Sequence, residues 1–67
     1  MKVTINSVQQ DFPEDTLPLT ELIKHLHLSG QPVVVELNGE ALLVKEVNDT
    51  QIKDADRIEI VRIVAGG

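Results

Sequence analysis

Pro18-Leu-Thr-Glu-Leu-Ile-Lys-His-Leu-His-Leu-Ser-Gly30 carries the helical periodicity of this chain, and its reading decides the fold. Leu19, Leu22, Ile23 and Leu26 fall at i, i+3, i+4 and i+7, which gathers them into one apolar stripe. Pro18 suits the first helical position, where its missing N–H has no intrahelical partner to lose. Glu21 sits in the first turn, and Lys24, His25 and His27 sit toward the other end, as the helix dipole favours. Ser29-Gly30 is expected to close the helix, with Gly30 in the left-handed conformation and Leu28 folded back on the core. One amphipathic helix needs one sheet face to cover its stripe.

Strands flank the helix on both sides. Before it, Met1 to Asn6 alternates, with Val3 and Ile5 on one face and Lys2, Thr4 and Asn6 on the other. Asn6-Ser7 is read as a turn and Val8 to Phe12 as the return strand, while Pro13 to Leu17 reads as a loop. After the helix, Val33 to Leu37 is a strand, Asn38-Gly39 is a type I′ hairpin signal, and Ala41 to Val44 returns. Lys45 to Gln51 reads as polar and irregular, with Ile52 a single apolar anchor. Lys53-Asp-Ala-Asp56 turns the chain into a last strand, Arg57 to Val64.

The order is β-β-α-β-β-β. It predicts an α+β fold, the ubiquitin-like β-grasp: a mixed sheet with one helix packed on one face. The last strand then lies beside the first, in the middle of the sheet. The expectation is a single domain over 1–67 in which 65–67 form a flexible C-terminal tail.

Composition excludes several function classes. At 67 residues the chain is one domain in size and has little room for a pocket of the usual ~300–1,000 Å³, which argues against an enzyme. Its net charge of −5 disfavours nucleic acid; it suits a basic surface on a partner protein and equally well serves solubility alone. Phe12 is the only aromatic residue, so base stacking has no platform. There is no cysteine, hence no disulfide or thiolate metal site. No apolar run approaches the ~18 residues of a membrane span, and the expected location is cytoplasmic.

Candidates for chemistry are few. His25 and His27, two apart, point in different directions on a helix and do not share a metal. The acidic pairs Glu14-Asp15 and Asp54/Asp56 lack a third ligand and read as solvated turns. Ser7 and Ser29 have no nucleophile-elbow context. In the last strand Ile58 and Ile60 share the helix-side face, but Val61, Ile63 and Val64 break the alternation. Either a bulge tucks them into the core, or they form an exposed partner-docking surface. Ala65-Gly66-Gly67 follows. Without a Cβ, Gly-Gly is the thinnest peptide there is, able to thread a narrow channel and present the α-carboxylate of Gly67. A frayed terminus is the alternative reading.

Three segments then act together: Val35-Glu-Leu-Asn-Gly-Glu40, Ile52-Lys-Asp-Ala-Asp-Arg-Ile-Glu-Ile60 and Val64-Ala-Gly-Gly67. With the helix segment Thr20–Leu26 they resemble the ThiS family, the sulfur carriers of thiamine biosynthesis, over essentially the whole chain. The resemblance implies a cycle on Gly67. An E1-like, ThiF-like adenylyltransferase activates its carboxylate with ATP; a sulfur-donor protein supplies sulfur, giving a thiocarboxylate; and a ThiG-like thiazole synthase consumes that sulfur. It implies no bound cofactor, with ATP and the sulfur donor used by the partner enzyme, and no catalytic residue in this chain. Gly67 is the modified residue, and Ala65, Gly66 and Gly67 enter the partner.

Two departures stand out. Leu43-Val44 replaces the Pro-Arg that the family often has after Asn-Gly-Glu. Asp54-Ala55-Asp56 replaces its Asp-Gly-Asp, so this turn is expected to be one that alanine tolerates. They leave open the sister pathway of the MoaD-like molybdopterin carriers, which share the fold and the Gly-Gly end. Other readings are a non-covalent ubiquitin-like binding module and a modifier joined to lysines through Gly67.

Overall fold

A computed structural model describes residues 1–64. In chain order the elements are β1 (Lys2–Ile5), β2 (Val8–Asp11), β3 (Thr16–Pro18), α1 (Leu19–His25), β4 (Val33–Leu37), β5 (Glu40–Leu42), α2 (Val44–Asn48), β6 (Gln51–Lys53) and β7 (Arg57–Arg62). Five strands form the main sheet in the order β2-β1-β7-β4-β5. β7 is its centre, parallel to β1 and antiparallel to β4. With α1 against one face, this is the β-grasp arrangement that the hairpin–helix–hairpin–strand order predicts.

The core lies between that face and α1. Val3 and Ile5 of β1, Val35 of β4 and Ile58 and Ile60 of β7 meet Leu19, Leu22 and Ile23 of α1, with Ile52 of β6 wholly buried among them. Each such aliphatic side chain contributes about 1.5–3 kcal/mol on burial. Both hairpins turn on residue pairs with positive φ, Asn6-Ser7 (48° and 71°) and Asn38-Gly39 (50° and 87°). That twist matches the right-handed twist of the strands they join.

Four local expectations are corrected. The segment before the helix is not all loop: β3 pairs antiparallel with β6, matching Leu17 to Ile52, as a small second sheet. Pro18 is therefore the last residue of a strand, with ψ 137°, and the helix starts at Leu19. The Leu19 N–H donates to the Thr50 carbonyl at 2.9 Å, so a remote backbone group serves the helix end.

The helix also stops early. His27 takes the left-handed conformation that ends it, with φ 61°; Gly30 is left-handed as expected, φ 77°, but lies three residues further on. The Leu28 N–H donates to the Ile23 carbonyl (3.1 Å) and the His27 N–H to the Lys24 carbonyl (3.0 Å), a Schellman closure. Leu28 reaches the core that way, so its burial decides where the turn falls.

The segment read as the end of a strand and an irregular loop is largely a short helix. β5 ends at Leu42 rather than Val44, and α2 follows. Glu46 Oε1 accepts the Leu43 N–H at 2.7 Å, and the Leu43 carbonyl accepts the Val47 N–H at 3.0 Å. Only Val47 of α2 packs on the core. One apolar contact in a single turn leaves no period to read.

Finally, the turn before β7 does not suit alanine. Ala55 has φ 73°, and its N–H donates to the Lys2 carbonyl at 2.8 Å. A left-handed conformation costs an L-residue about 1–2 kcal/mol, part of which glycine returns through its larger unfolded entropy. Ala55→Gly is therefore expected to stabilise the protein by about 1 kcal/mol, raising the melting temperature by about 4–8 °C in a domain of this size. A thermal melt that falls on this substitution contradicts the strain.

Candidate functional site: the exit of the central strand

The site is the end of β7 and the chain that leaves it. Two polar side chains anchor the start of that strand. Asp56 is only 4% exposed, which corrects its reading as a solvated turn residue. One of its carboxylate oxygens accepts the Lys53 N–H at 2.9 Å, and the other accepts Asn38 Nδ2 at 3.1 Å. Asn38 Oδ1 in turn accepts the Arg57 N–H at 2.9 Å. The tip of the β4–β5 hairpin and the entry to β7 are thus one hydrogen-bonded unit. Nothing local in the sequence signals it, because the partners come from separate turns. Asp54 remains exposed but accepts the Lys2 N–H at 2.7 Å.

A third polar side chain extends the parallel pairing. β1 matches β7 only at Thr4↔Arg57 and Ile5↔Ile58, because the chain then turns at Asn6-Ser7. The Asn6 side chain takes over. Its Oδ1 accepts the Ile60 N–H at 2.8 Å and its Nδ2 donates to the Ile60 carbonyl at 3.1 Å. An amide side chain has one acceptor and a donor pair, so it replaces a backbone rung.

Past Ile60, β7 continues with β4 alone. Val34↔Val61 and Val33↔Arg62 are the last pairs, and the Ile63 N–H donates to the Pro32 carbonyl at 2.9 Å. The register runs unbroken from Ile58 to Arg62, so no bulge draws the following residues inward. Val61 is 61% exposed, Ile63 51% and Val64 75%. Of the two readings open for these three residues, the structure shows the exposed one. Ala65, Gly66 and Gly67, expected as a flexible tail with Gly67 its reactive end, lie outside the described residues.

Beside this exit lies an open groove of about 320 Å³, lined by Gln31, Pro32, Val33, Val44, Val47, Asn48 and Ile63. His25 packs edge-on against Phe12, ring centroids 5.4 Å apart, and His27 serves the helix closure. Among the described residues, no three His, Cys, Asp or Glu side chains are placed to hold a metal ion. No helix among them is long and apolar enough to cross a membrane.

Comparison with known proteins gives this geometry its context. The model of the ThiS family matches residues 3–67. The chain belongs to the ThiS family. It is 34% identical over 55 residues to the sulfur carrier protein ThiS of Thermus thermophilus, covering 82% of this chain and 86% of that one. Against the sulfur carrier protein ThiS of Bacillus subtilis the identity is 30% over 63 residues, covering 94% and 96%. The crystal structure of the thiamine biosynthesis protein ThiS from Geobacter metallireducens superposes with a TM-score of 0.85 at 33% identity, covering all of both chains. The ThiS match takes in β7 and continues through Gly66 and Gly67.

Proposed function

We propose that this chain is a sulfur carrier of thiamine biosynthesis, a cytoplasmic co-substrate rather than a catalyst. The observation that carries this reading is membership of the ThiS family through residue 67. The exit of β7 supports it: the central strand is locked at its start by Asn38 and Asp56, and Val61, Ile63 and Val64 at its end are exposed.

The carboxylate of Gly67 is a poor electrophile until one oxygen becomes part of a leaving group. A ThiF-like adenylyltransferase supplies that: the carboxylate attacks the α-phosphate of ATP, pyrophosphate leaves, and an acyl-adenylate forms. The terminal sulfur of a donor-protein persulfide then attacks the carbonyl carbon and AMP leaves, giving an acyl disulfide. A thiol of the partner attacks the donor's sulfur, breaks that S–S bond and releases the thiocarboxylate, leaving a disulfide between thiol and donor. A ThiG-like thiazole synthase takes the sulfur. Ala65, Gly66 and Gly67 are the segment the partner admits, because glycine puts no side chain in the attacker's path. Val61, Ile63 and Val64 are the docking surface beside it.

Intact-mass measurement tests the reading. With the cognate adenylyltransferase, ATP and a sulfur donor, the protein gains the mass of one oxygen exchanged for sulfur, and omission of any of the three abolishes the gain. A chain lengthened by one alanine beyond Gly67 is expected to show none. Should the lengthened chain support thiazole formation as well as the original, the protein is a non-covalent binding module instead.

A further inference from the structure

Among the described residues, none packs on the sheet face opposite α1, and the residues of that face sort by type along the strands. At the β7 exit, Val34 and Val61 are cross-strand partners, 42% and 61% exposed, and Ile63, just past the end of β7, is 51% exposed. Leu43, one residue past β5, is exposed at the same end. The next row inward is Glu36↔Glu59, two exposed carboxylates directly opposite each other in the β4–β7 ladder. Like charges so placed repel. Among the described residues, neither belongs to an ion pair; the pairs present are Lys24–Glu21 and Lys53–Asp56.

We propose that this face docks a partner surface with an apolar knob seated on Val34, Val61 and Ile63 and an arginine or lysine placed between Glu36 and Glu59. The partner's cation neutralises a repulsion that the free protein carries unrelieved, so the pair favours the bound state over the free one. The net charge of −5 steers the same kind of surface from a distance. The inference rests on the proposed function, which makes the adenylyltransferase the partner that must approach the β7 exit. It adds the chemistry of that partner's docking surface and moves the recognition from β7 alone to β4 and β7 together.

The test is pyrophosphate release by the cognate adenylyltransferase, with the full chain as varied substrate at several salt concentrations. Glu36→Gln with Glu59→Gln is expected to raise KM by about tenfold, with the effect in KM rather than kcat, and to flatten its salt dependence. Its melting temperature is expected to equal or exceed that of the original protein, so weaker docking is not misfolding. Val61→Ser raises KM without changing the salt slope. Equal KM and equal salt slope for the glutamine variant overturn the inference while leaving the function intact. No turnover of the original protein overturns the proposed function itself. Self-association that Val61→Ser abolishes, with KM unmoved, assigns the face to a second copy and also overturns the inference.

Discussion

Deleting Gly67 is expected to abolish thiocarboxylate formation and to leave the melting temperature unchanged. The first half follows from the chemistry. In the proposed cycle, truncation places the terminal carboxylate on Gly66, one residue short of where the partner's ATP would meet it. A partner channel that fixes the carboxylate against ATP leaves no slack for a displacement of one residue, which is about 3.3–3.6 Å of extended chain. Misplacement of reacting atoms by even about 1 Å costs on the order of a hundredfold in rate. The second half follows from the core, whose buried hydrophobic side chains among the described residues extend no further along the chain than Ile60. The measurements are intact mass after incubation with adenylyltransferase, ATP and sulfur donor, and a thermal melt of the same sample. Sulfuration of the truncated chain at the original rate removes Gly67 from the mechanism.

Asp56→Ala has the largest expected effect on stability. The substitution strips the acceptors from the Lys53 N–H and from Asn38 Nδ2 in a site that is 4% exposed. Hydrogen bonds to a charged group are worth about 1.5–3 kcal/mol, and donors left unpaired add their own desolvation penalty. A combined loss of about 3 kcal/mol is expected, given that such terms do not add fully. At the usual ~0.05–0.15 kcal/mol per residue, a chain this short has a total stability on the order of 3–10 kcal/mol, so the variant is close to unfolding. Its partner Lys53 Nζ, 3.6 Å away and largely exposed, contributes little. Asp56→Asn keeps the shape and one acceptor and is expected to lose about half as much, because its amide N–H faces a donor. Urea denaturation of the two variants separates these outcomes. A loss under about 0.5 kcal/mol for alanine, the level of an ordinary surface change, contradicts the bracket that ties the β4–β5 hairpin to β7.

The two predictions act on opposite ends of one strand. Asp56 and Asn38 fix where β7 starts, Asn6 carries its pairing past the end of β1, and only then does the chain reach Val61 and the tail. Damage at the start is expected to reach function through folding, whereas in the proposed cycle damage at Gly67 reaches it directly.

Much of this was legible from residues alone. The stripe of Leu19, Leu22 and Ile23, the Asn38-Gly39 turn and the alternation around Val3 and Ile5 are local signals with the periods of their elements, and they led to the right sheet and helix. The ThiS family was legible because three short motifs and the helix occur together along the chain. What failed were features with no local period. The β3–β6 pair is three residues a side, and it exists because Leu17 and Ile52 meet across the edge of the core. The helix closed at His27, three residues before the left-handed Gly30, where the Leu28 N–H returns to the Ile23 carbonyl and Leu28 packs on the core.

Sequence by itself determined the hydrophobic pattern, the two hairpin turns and the family, because each is written in neighbouring residues or in motifs read along the chain. Only the tertiary structure decided that Asp56 is buried, that Asn6 serves as a rung of the sheet, that Ala55 is strained, and that Val61, Ile63 and Val64 stay exposed. Those outcomes depend on which backbone groups arrive from distant segments. A buried polar group is stable only where such partners meet it, and an apolar one stays exposed where no segment arrives to cover it.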